Sequence, residues 1–216
     1  MWGNTFFDST CGFPGEGPLN IVSMNVTAWS SFEVCLNINS LNQFDIICIQ
    51  EHRIDDDGRI EAANRTVDRH GFRGCFQKCV VTEANGKSAG VAILWKKHIS
   101  VCQVSHLYHD ARTVSVQIEV PVVGRMNLVC TYGWDSQVTL NLNRIRELCQ
   151  DLHAQGVPFA ILGDHNMEPH ECGPMLEGLS SKVVIKHAGV SCVTHAKLSI
   201  LDYAIVSYMW PKLILR

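Results

Sequence analysis

With 216 residues, 46% of them hydrophobic and 18% charged, the chain is too apolar for a disordered protein and too short for two domains of ordinary size. Its formal net charge of −3 excludes an overall electrostatic attraction to nucleic acid, although a local basic face stays compatible with it. Most of its ten cysteines lie inside apolar runs, which predicts small buried hydrophobic residues in a reducing compartment.

The N-terminal sequence predicts a loose lead-in segment ahead of one domain. Residues 1–18 contain several turn and chain-breaking residues, namely Gly3, Gly12, Pro14, Gly15, Gly17 and Pro18. They carry no positively charged leader with a long apolar core, and no apolar run in the chain approaches the ~20 residues that cross a bilayer. We therefore expect a domain over residues 19–216 in a soluble, intracellular monomer of the nucleus or the cytoplasm, with no membrane partner.

Short runs rich in apolar and β-branched residues recur from Leu19 onward and predict strands. The predicted strands cover residues 19–26, 45–50, 74–82, 91–95, 113–120, 126–132, 159–162, 183–186 and 201–206. Helical patterns interrupt them at 31–44, 57–70 and 137–155, and Gly71 and Gly156 follow the last two as C-terminal stops. Because strands dominate and helices occur at intervals, the pattern indicates an α/β domain with two packed sheets covered by helices.

Polar side chains stand at the ends of several predicted strands, where a buried strand would hold them rigidly at a shared edge of the sheets. The strand-end residues are Asn25, Glu51, Tyr132, Asp164 and Asn166, and Asp202 starts the last predicted strand. A single polar residue of this kind is usually a turn or capping residue. Together, however, these residues form a candidate site.

The residue types in this set suit attack on a phosphorus centre. A hard cation such as Mg²⁺ prefers one or two carboxylates together with water and substrate oxygens, which makes Glu51 the natural ligand. Amides and a phenol can hold a catalytic aspartate or a phosphate oxygen, and Asn25, Asn166 and Tyr132 are candidates for these roles. Asp164 is placed to orient or deprotonate an attacking water.

Five ordered segments resemble the successive motifs of the endonuclease/exonuclease/phosphatase superfamily: Met24-Asn25-Val26, Ile49-Gln50-Glu51, Thr131-Tyr132, Gly163-Asp164-His165-Asn166 and Leu201-Asp202-Tyr203. Within that superfamily the chain is most similar to the branch of apurinic endonucleases and non-LTR-retrotransposon endonucleases. Each motif alone is a weak signal, whereas five motifs in family order and in strand context are specific.

The resemblance implies a four-layer α/β/β/α sandwich, with two facing mixed sheets flanked by helices and the site at one end of the sheets. It implies that Glu51 binds Mg²⁺ or Mn²⁺ with Asn25 close to both metal and substrate, and that Tyr132 and Asn166 contact the scissile phosphate. It further implies that Asp164 faces the nucleophilic water or the leaving group, and that Asp202 orients a catalytic histidine. The expected substrate is DNA or another phosphodiester.

Two departures from the family pattern predict impaired activity. Family members end in a Ser-Asp-His segment that supplies a further aspartate and the catalytic histidine, whereas the sequence after Asp202 contains no His, Asp or Glu. Losing a general acid or base typically costs about 10² to 10⁴ in rate. The family's last strand would be missing too, leaving Tyr208, Trp210 and Leu213 to cover the sheet edge. The second departure is Thr27, where apurinic endonucleases carry an aspartate.

Several histidines and one arginine near the motifs are also considered, and three of these residues are expected to have a structural role. His52 and His165 adjoin site residues, but alternation along an extended segment turns them to the opposite face. Arg112 resembles an arginine that is common ahead of the Tyr132 strand in the family, and packing or a salt bridge is the favoured interpretation. His187 and His195 precede Asp202 and are alternative candidates for the missing histidine.

Three functional hypotheses stay open. The leading one is a Mg²⁺-dependent phosphodiester hydrolase of the DNA-endonuclease kind, impaired by the missing Asp-His. The second is a phosphatase or phospholipase-like hydrolase on the same scaffold, since a fold does not fix a substrate. The third is a catalytically inactive pseudoenzyme or a truncated retroelement fragment.

Overall fold

Apolar runs of the first half of the chain build a five-stranded mixed sheet. In the computed structural model, its strands in spatial order are β1 (Asn4–Ser9), β2 (Leu19–Asn25), β3 (Ile46–Gln50), β7 (Val91–Lys96) and β4 (Phe72–Gln77). β2 and β3 run parallel, and the other neighbours run antiparallel. Asn25 and Gln50 therefore lie side by side at the C-terminal ends of β2 and β3.

The second half of the chain builds a six-stranded mixed sheet. Its strands in spatial order are β12 (Ser181–Val184), β15 (Asp202–Ser207), β11 (Phe159–Asp164), β10 (Gly124–Tyr132), β9 (Thr113–Val120) and β8 (Val101–Ser105). β10 and β11 run parallel, and the remaining pairs are antiparallel. Tyr132 and Asp202 consequently flank Asp164 on its two sides.

Four helices and two short ribbons complete the described structure. The helices are α1 (Trp29–Asn37), α2 (Asp57–Arg69), α3 (Val138–Ala154) and α4 (Pro169–Glu177). The ribbons pair β5 (Val80–Val81) with β6 (Lys87–Ser88) and β13 (Cys192–Val193) with β14 (Leu198–Ser199). The structure describes residues 4–9, 19–38, 41–83, 86–105, 110–120, 124–179, 181–184, 192–193, 198–199 and 201–207.

Alternation of side chains along the strands produces three hydrophobic clusters. In β3, Ile46 and Cys48 face the cluster between the two sheets, whereas Ile47 and Ile49 face the cluster beneath α1 and α2. In the second sheet too, one face packs into the cluster between the sheets, and the outer face packs against α3 and α4. Both faces of each sheet are thus buried, and the expected four-layer α/β/β/α sandwich is confirmed.

Several predicted boundaries agree with the structure. β9 spans the predicted residues 113–120, and α3 ends just ahead of Gly156, which has a φ of +65°. Such a left-handed φ costs glycine little, so Gly156 ends the helix as expected. Gly71, with a φ of +84°, does the same after α2.

The prediction of a loose lead-in segment is wrong for residues 4–9. These residues form β1, which pairs antiparallel with β2 from Asn4 opposite Met24 to Ser9 opposite Leu19. The reason is local composition, since Thr5-Phe6-Phe7 is a β-prone run that precedes the chain-breaking residues. β1 thus belongs to the first sheet, while the proposed domain boundary at residue 19 is not tested and stays a prediction.

Some expectations concern residues outside the described part of the chain. These are the missing last strand, the covering role of Tyr208, Trp210 and Leu213, and the alternative histidines His187 and His195. Among the described residues, we find no helix that combines the length and the apolar character needed to span a membrane.

Candidate active site

The site lies where the C-terminal ends of four central strands meet across the gap between the two sheets. β2 and β3 deliver Asn25 and Glu51 from the first sheet, and β10 and β11 deliver Tyr132 and Asp164 from the second. Parallel pairing within each sheet places each pair of strand ends at the same edge. The sheet–sheet packing then brings the two pairs into hydrogen-bond contact.

One amide joins the two sheets at this point. The Asn25 Nδ2 group donates to Glu51 Oε1 at 2.9 Å and to Asp164 Oδ2 at 3.1 Å. Asn25 Oδ1 accepts from the backbone N–H of Thr27 at 3.1 Å, which fixes the orientation of the amide. Two carboxylates from opposite sheets are therefore held close together by a neutral donor.

Glu51 is the most heavily hydrogen-bonded carboxylate of the site. Besides Asn25, the Tyr132 hydroxyl donates to Oε1 at 2.6 Å and the Arg53 guanidinium donates to Oε2 at 2.7 Å. Burial alone would raise the pKa of Glu51, but these hydrogen bonds and the Arg53 charge outweigh it and hold the pKa below its usual range. Glu51 is thus ionised at neutral pH.

The backbone at Glu51 adopts a conformation that is uncommon for residues other than glycine. Glu51 has a φ of +58° and Asn166 has a φ of +48°, both in the left-handed region. For residues other than glycine such conformations cost of order 1 kcal/mol each and cluster at functional sites. Their occurrence at two of the candidate positions supports a functional interpretation.

Asp164 occupies a more buried environment than Glu51. It is 9% exposed, and burial raises its pKa, with the nearby Glu51 charge acting in the same direction. The hydrogen bonds from Asn25 and from the backbone N–H of Asn166 oppose this rise without cancelling it. The site therefore holds two carboxylates with pKa values shifted in opposite directions, an arrangement often found in acid–base catalysis.

Tyr132 stays protonated in this environment. Burial, the hydrogen bond to Glu51 and the charges of Glu51 and Asp164 all raise the pKa of its phenol well above the ordinary value. The Arg112 guanidinium lies over the Tyr132 ring, with its central carbon 4.9 Å from the ring centroid. Arg112 also donates to the Gly133 carbonyl at 2.8 Å, so the favoured packing interpretation of this arginine is confirmed.

Asn166 and Asp202 lie at the same end of the second sheet. Asn166 turns its side chain towards the backbone, since Nδ2 donates to the Gly133 carbonyl at 3.0 Å. Asp202 is 5% exposed and lies directly opposite Asp164 in the β11–β15 ladder. Side chains of directly opposed residues share a face of the sheet, so the Asp202 carboxylate neighbours that of Asp164.

His52 and His165 point away from the site, as alternation predicts. His52 is 1% exposed, its Nε2 lies 3.2 Å from the Val91 carbonyl, and its ring packs edge-on against Phe76. His165 is also 1% exposed, with Nε2 3.1 Å from the Tyr203 carbonyl and its ring against that of Tyr203. Burial lowers the pKa of both imidazoles to about 4, so both are neutral under physiological conditions.

Two residues next to the site were not anticipated from the sequence. Arg53 forms the ion pair with Glu51, and Trp134 carries the second aromatic ring beside Arg112, 5.1 Å from the guanidinium carbon. Each stands two positions after a motif residue, Glu51 or Tyr132. For Trp134 that spacing was the available signal, because residues two apart in an extended segment share a side. For Arg53 it was not, because the backbone of Glu51 and Arg53 is left-handed, with φ values of +58° and +56°.

The donor set fits a hard divalent cation with few protein ligands. Within the described ranges, no group of three or more His, Cys, Asp and Glu side chains could hold a metal ion. Mg²⁺ requires only one or two carboxylates, completed by water and substrate oxygens. The Arg53 side chain is 44% exposed whereas that of Glu51 is 14% exposed, so the guanidinium has room to turn into solvent and leave Glu51 Oε2 to a cation. Glu51 and Asn25 are the residues that would hold the metal.

Comparison with known proteins identifies the family to which the chain belongs. A sequence model of the Endonuclease/Exonuclease/phosphatase family matches residues 34–172, more than half of the chain. The chain belongs to the endonuclease/exonuclease/phosphatase family. This family includes nucleases, other phosphodiesterases and phosphatases, so membership alone leaves the substrate open. No curated protein sequence matches the chain.

Solved structures of the endonuclease/exonuclease/phosphatase family share the fold at low sequence identity. The human Nocturnin catalytic domain with bound sulfate is 15% identical, with 95% of this chain and 86% of that chain covered and a TM-score of 0.63. ANGEL2, a 2′,3′-cyclic phosphatase, is 12% identical, with coverages of 96% and 85% and a TM-score of 0.64. The AP endonuclease LMAP from Leishmania major is 16% identical, with coverages of 88% and 79% and a TM-score of 0.66. At these identities the similarity establishes the fold alone.

Proposed function

We propose that this protein is a Mg²⁺- or Mn²⁺-dependent phosphodiester hydrolase that cuts DNA. The observation that carries the proposal is the contact of a single amide, that of Asn25, with the carboxylates of Glu51 and Asp164 at 2.9 and 3.1 Å. Family membership supports hydrolysis of a phosphate ester, and the structural similarity to an AP endonuclease is compatible with a DNA substrate.

Glu51 and Asn25 are assigned to the metal. A bound divalent ion polarises a phosphoryl oxygen and offsets the negative charge that develops there. Glu51 is suited to this position because its lowered pKa keeps it ionised. Thr27 follows Asn25 by two positions and offers no carboxylate. We therefore propose weak metal binding, with activity that depends on the metal concentration.

Asp164 is assigned to the attacking water. Its burial raises its pKa, which improves a carboxylate as a proton acceptor near neutral pH. The Asn25 amide and the Asn166 backbone N–H hold its two oxygens at 3.1 Å each. The proton would therefore move from the water to a carboxylate whose orientation is fixed from two sides.

Tyr132 and Asn166 are assigned to the phosphate, and Asp202 is proposed as an orienting carboxylate beside Asp164. The Tyr132 phenol keeps its proton because its pKa is raised, so it can donate to a phosphate oxygen at neutral pH. Asn166 commits one amide hydrogen to the Gly133 carbonyl, and its second amide hydrogen would be the one to reach the substrate.

A nicking assay on supercoiled plasmid tests the proposal. With Mg²⁺ or Mn²⁺ present, we expect Glu51→Gln to lower the nicking rate by about 10² to 10⁴, because the charge on the metal-binding carboxylate is lost while its shape is kept. Glu61→Gln is the matched control, since the Glu61 side chain is 73% exposed on α2. We expect it to nick at the wild-type rate.

Equal nicking by the wild type and Glu51→Gln would contradict the proposal. Release of inorganic phosphate from phosphomonoesters without any nicking would instead favour a phosphatase. Both assays use the same preparations, and a circular dichroism spectrum of each variant verifies that it is folded.

A further inference from the structure

Trp134 is a half-buried aromatic residue at the rim of the candidate active site, and its backbone is held rigidly. Its N–H donates to Asn141 Oδ1 at 2.8 Å, and its carbonyl accepts from Asn141 Nδ2 at 2.9 Å. Asn141 lies on α3 and is only 2% exposed. The adjacent Gly133 N–H donates to the Asp164 carbonyl at 2.8 Å. The indole is therefore attached to the same rigid segment as the site.

The indole ring lies next to the pocket because Arg112 contacts two rings. The Arg112 guanidinium carbon is 4.9 Å from the Tyr132 ring centroid and 5.1 Å from the Trp134 ring centroid. The edge of the guanidinium is used in hydrogen bonds to the Gly133 carbonyl at 2.8 Å and Ser88 Oγ at 3.3 Å. The Tyr132 hydroxyl donates to Glu51 at 2.6 Å. Arg112 therefore links Trp134 to a ring that contacts the proposed metal-binding carboxylate.

We propose that Trp134, backed by Arg112, is a stacking platform for an unpaired nucleobase beside the scissile phosphate. The inference rests on the proposed function and narrows its substrate to single-stranded or locally unpaired nucleic acid. Aromatic rings stack on bases with little sequence preference, because every base has a flat π face, and an adjacent arginine strengthens the stack. A base must leave its helical stack to be received in this way.

The chemistry of the rim favours a nucleobase over a small phosphate ester. Tyr132 and Asn166 already offer hydrogen-bond donors for a phosphoryl group, whereas the large flat face of the indole is suited to a base. A rigid ring loses little conformational freedom when it binds, which is why aromatic side chains are efficient at contact surfaces. The positive charge of Arg112 also reduces the repulsion between a phosphate backbone and the acidic pocket.

Binding of two labelled oligonucleotides tests this inference by fluorescence anisotropy in EDTA, where no metal is available for cleavage. One strand carries normal bases, and the other has the same length but abasic tetrahydrofuran units throughout, so it presents phosphates without bases. We expect Trp134→Ala to weaken binding of the normal strand by about 5- to 100-fold and to leave binding of the abasic strand unchanged. Trp134→Phe should retain most of the affinity, because it keeps a flat ring.

Val104→Ala is the matched control for loss of an exposed apolar side chain, since Val104 is 43% exposed on the edge strand β8. We expect it to bind both strands as the wild type does.

Equal losses of affinity for both strands in Trp134→Ala, or no loss of affinity for either strand, would overturn the platform. A wild type that never nicks DNA but binds the normal strand through Trp134 would defeat the proposed function and leave the platform standing. If the wild type nicks DNA but Trp134→Ala binds both strands as the wild type does, the platform is overturned and the proposed function stands.

Discussion

Asn25 shows how much of the candidate site depends on one neutral donor. Its amide lies between two carboxylates that would otherwise face each other across the sheets, and both accept from the same nitrogen. A buried or half-buried carboxylate is tolerated when its charge is hydrogen-bonded. The asparagine thus stabilises the acidic pair in the absence of a metal, and it orients both carboxylates.

Replacing Asn25 by the isosteric aspartate should reverse this effect. In Asn25→Asp, a carboxylate oxygen replaces the N–H donor next to Glu51 and Asp164, so three like charges meet. We expect a loss of about 1–3 kcal/mol of unfolding free energy at pH 8. The crowded carboxylates have pKa values raised above their unfolded values, so the stability they contribute is present at low pH and lost as pH rises. The deficit should therefore shrink at pH 5.

Urea unfolding at the two pH values measures this difference. Asn143→Asp is the control, because Asn143 is exposed on α3 and accepts from Arg146 Nη1 at 3.2 Å. It should keep wild-type stability within about 0.5 kcal/mol. If the two variants behave alike at both pH values, Asn25 does not separate the carboxylates.

Close approach of β10 and β11 depends on a glycine just beyond β10. A Cβ atom built on Gly133 would lie 2.2 Å from the His165 carbonyl oxygen and 3.2 Å from Asn141 Nδ2. The first of these contacts is with backbone, which cannot move aside without displacing the segment that carries Asp164. The absence of a side chain at this position is therefore a requirement of the site.

Gly133→Ala should lower both stability and activity. We expect a loss of about 1–3 kcal/mol from the steric overlap, together with slower nicking because Tyr132 shifts relative to Asp164. Gly173→Ala is the control within α4, where an added Cβ meets nothing within 4 Å. It should gain about 0.5–1 kcal/mol, as alanine favours a helix over glycine. A thermal melt of both variants tests the contrast, and a Gly133→Ala protein as stable as Gly173→Ala would refute it.

The sequence predicted those elements whose local pattern agrees with their burial. β9 carries β-branched residues at alternating positions and was predicted with its observed bounds. β8 is a largely exposed edge strand without that pattern and was missed. α4 was missed because Pro169, Gly173 and Pro174 are chain-breaking residues in its sequence. Its helix is nevertheless supported by a capping box between Glu168 and Glu171 and by burial on the second sheet.

For the site, sequence predicted positions but not contacts. The strand-end pattern located Asn25 and Asp164, yet their hydrogen bond joins residues 139 positions apart. No local spacing foresees such a contact, because it depends on how two sheets pack. Arg112 was interpreted correctly as a packing residue, whereas its second aromatic partner, Trp134, was overlooked.

At the scale of the whole molecule, a buried histidine packs against each of the two sheets within the described ranges. His52 packs with residues of the first sheet, and His165 packs with Tyr203 of the second. Both have a pKa lowered by burial to about 4 from the ordinary 6.5. Between pH 4 and pH 6.5 the unfolded chain therefore binds more protons at these histidines than the folded protein does.

Acid should consequently destabilise the protein well before its carboxylates are fully protonated. A histidine whose folded pKa is lowered contributes stability above its unfolded pKa, and this stability is lost as pH falls towards the folded value. We expect about 3 kcal/mol of loss for each histidine between pH 7 and pH 4. Urea unfolding across this range measures the slope, which His165→Gln should reduce relative to the wild type. A slope unchanged in that variant would show that His165 does not contribute.

The division of the pocket between two sheets also bears on when it can form during synthesis. Asn25 and Glu51 leave the ribosome early, whereas Tyr132 and Asp164 come from the later part of the chain. An N-terminal fragment that stops before Tyr132 holds only the first sheet's side of the pocket, and one that stops before Asp164 lacks the second carboxylate. A nascent chain therefore gains its paired carboxylates only after translation has passed well beyond the midpoint, and prematurely terminated products carry an incomplete centre.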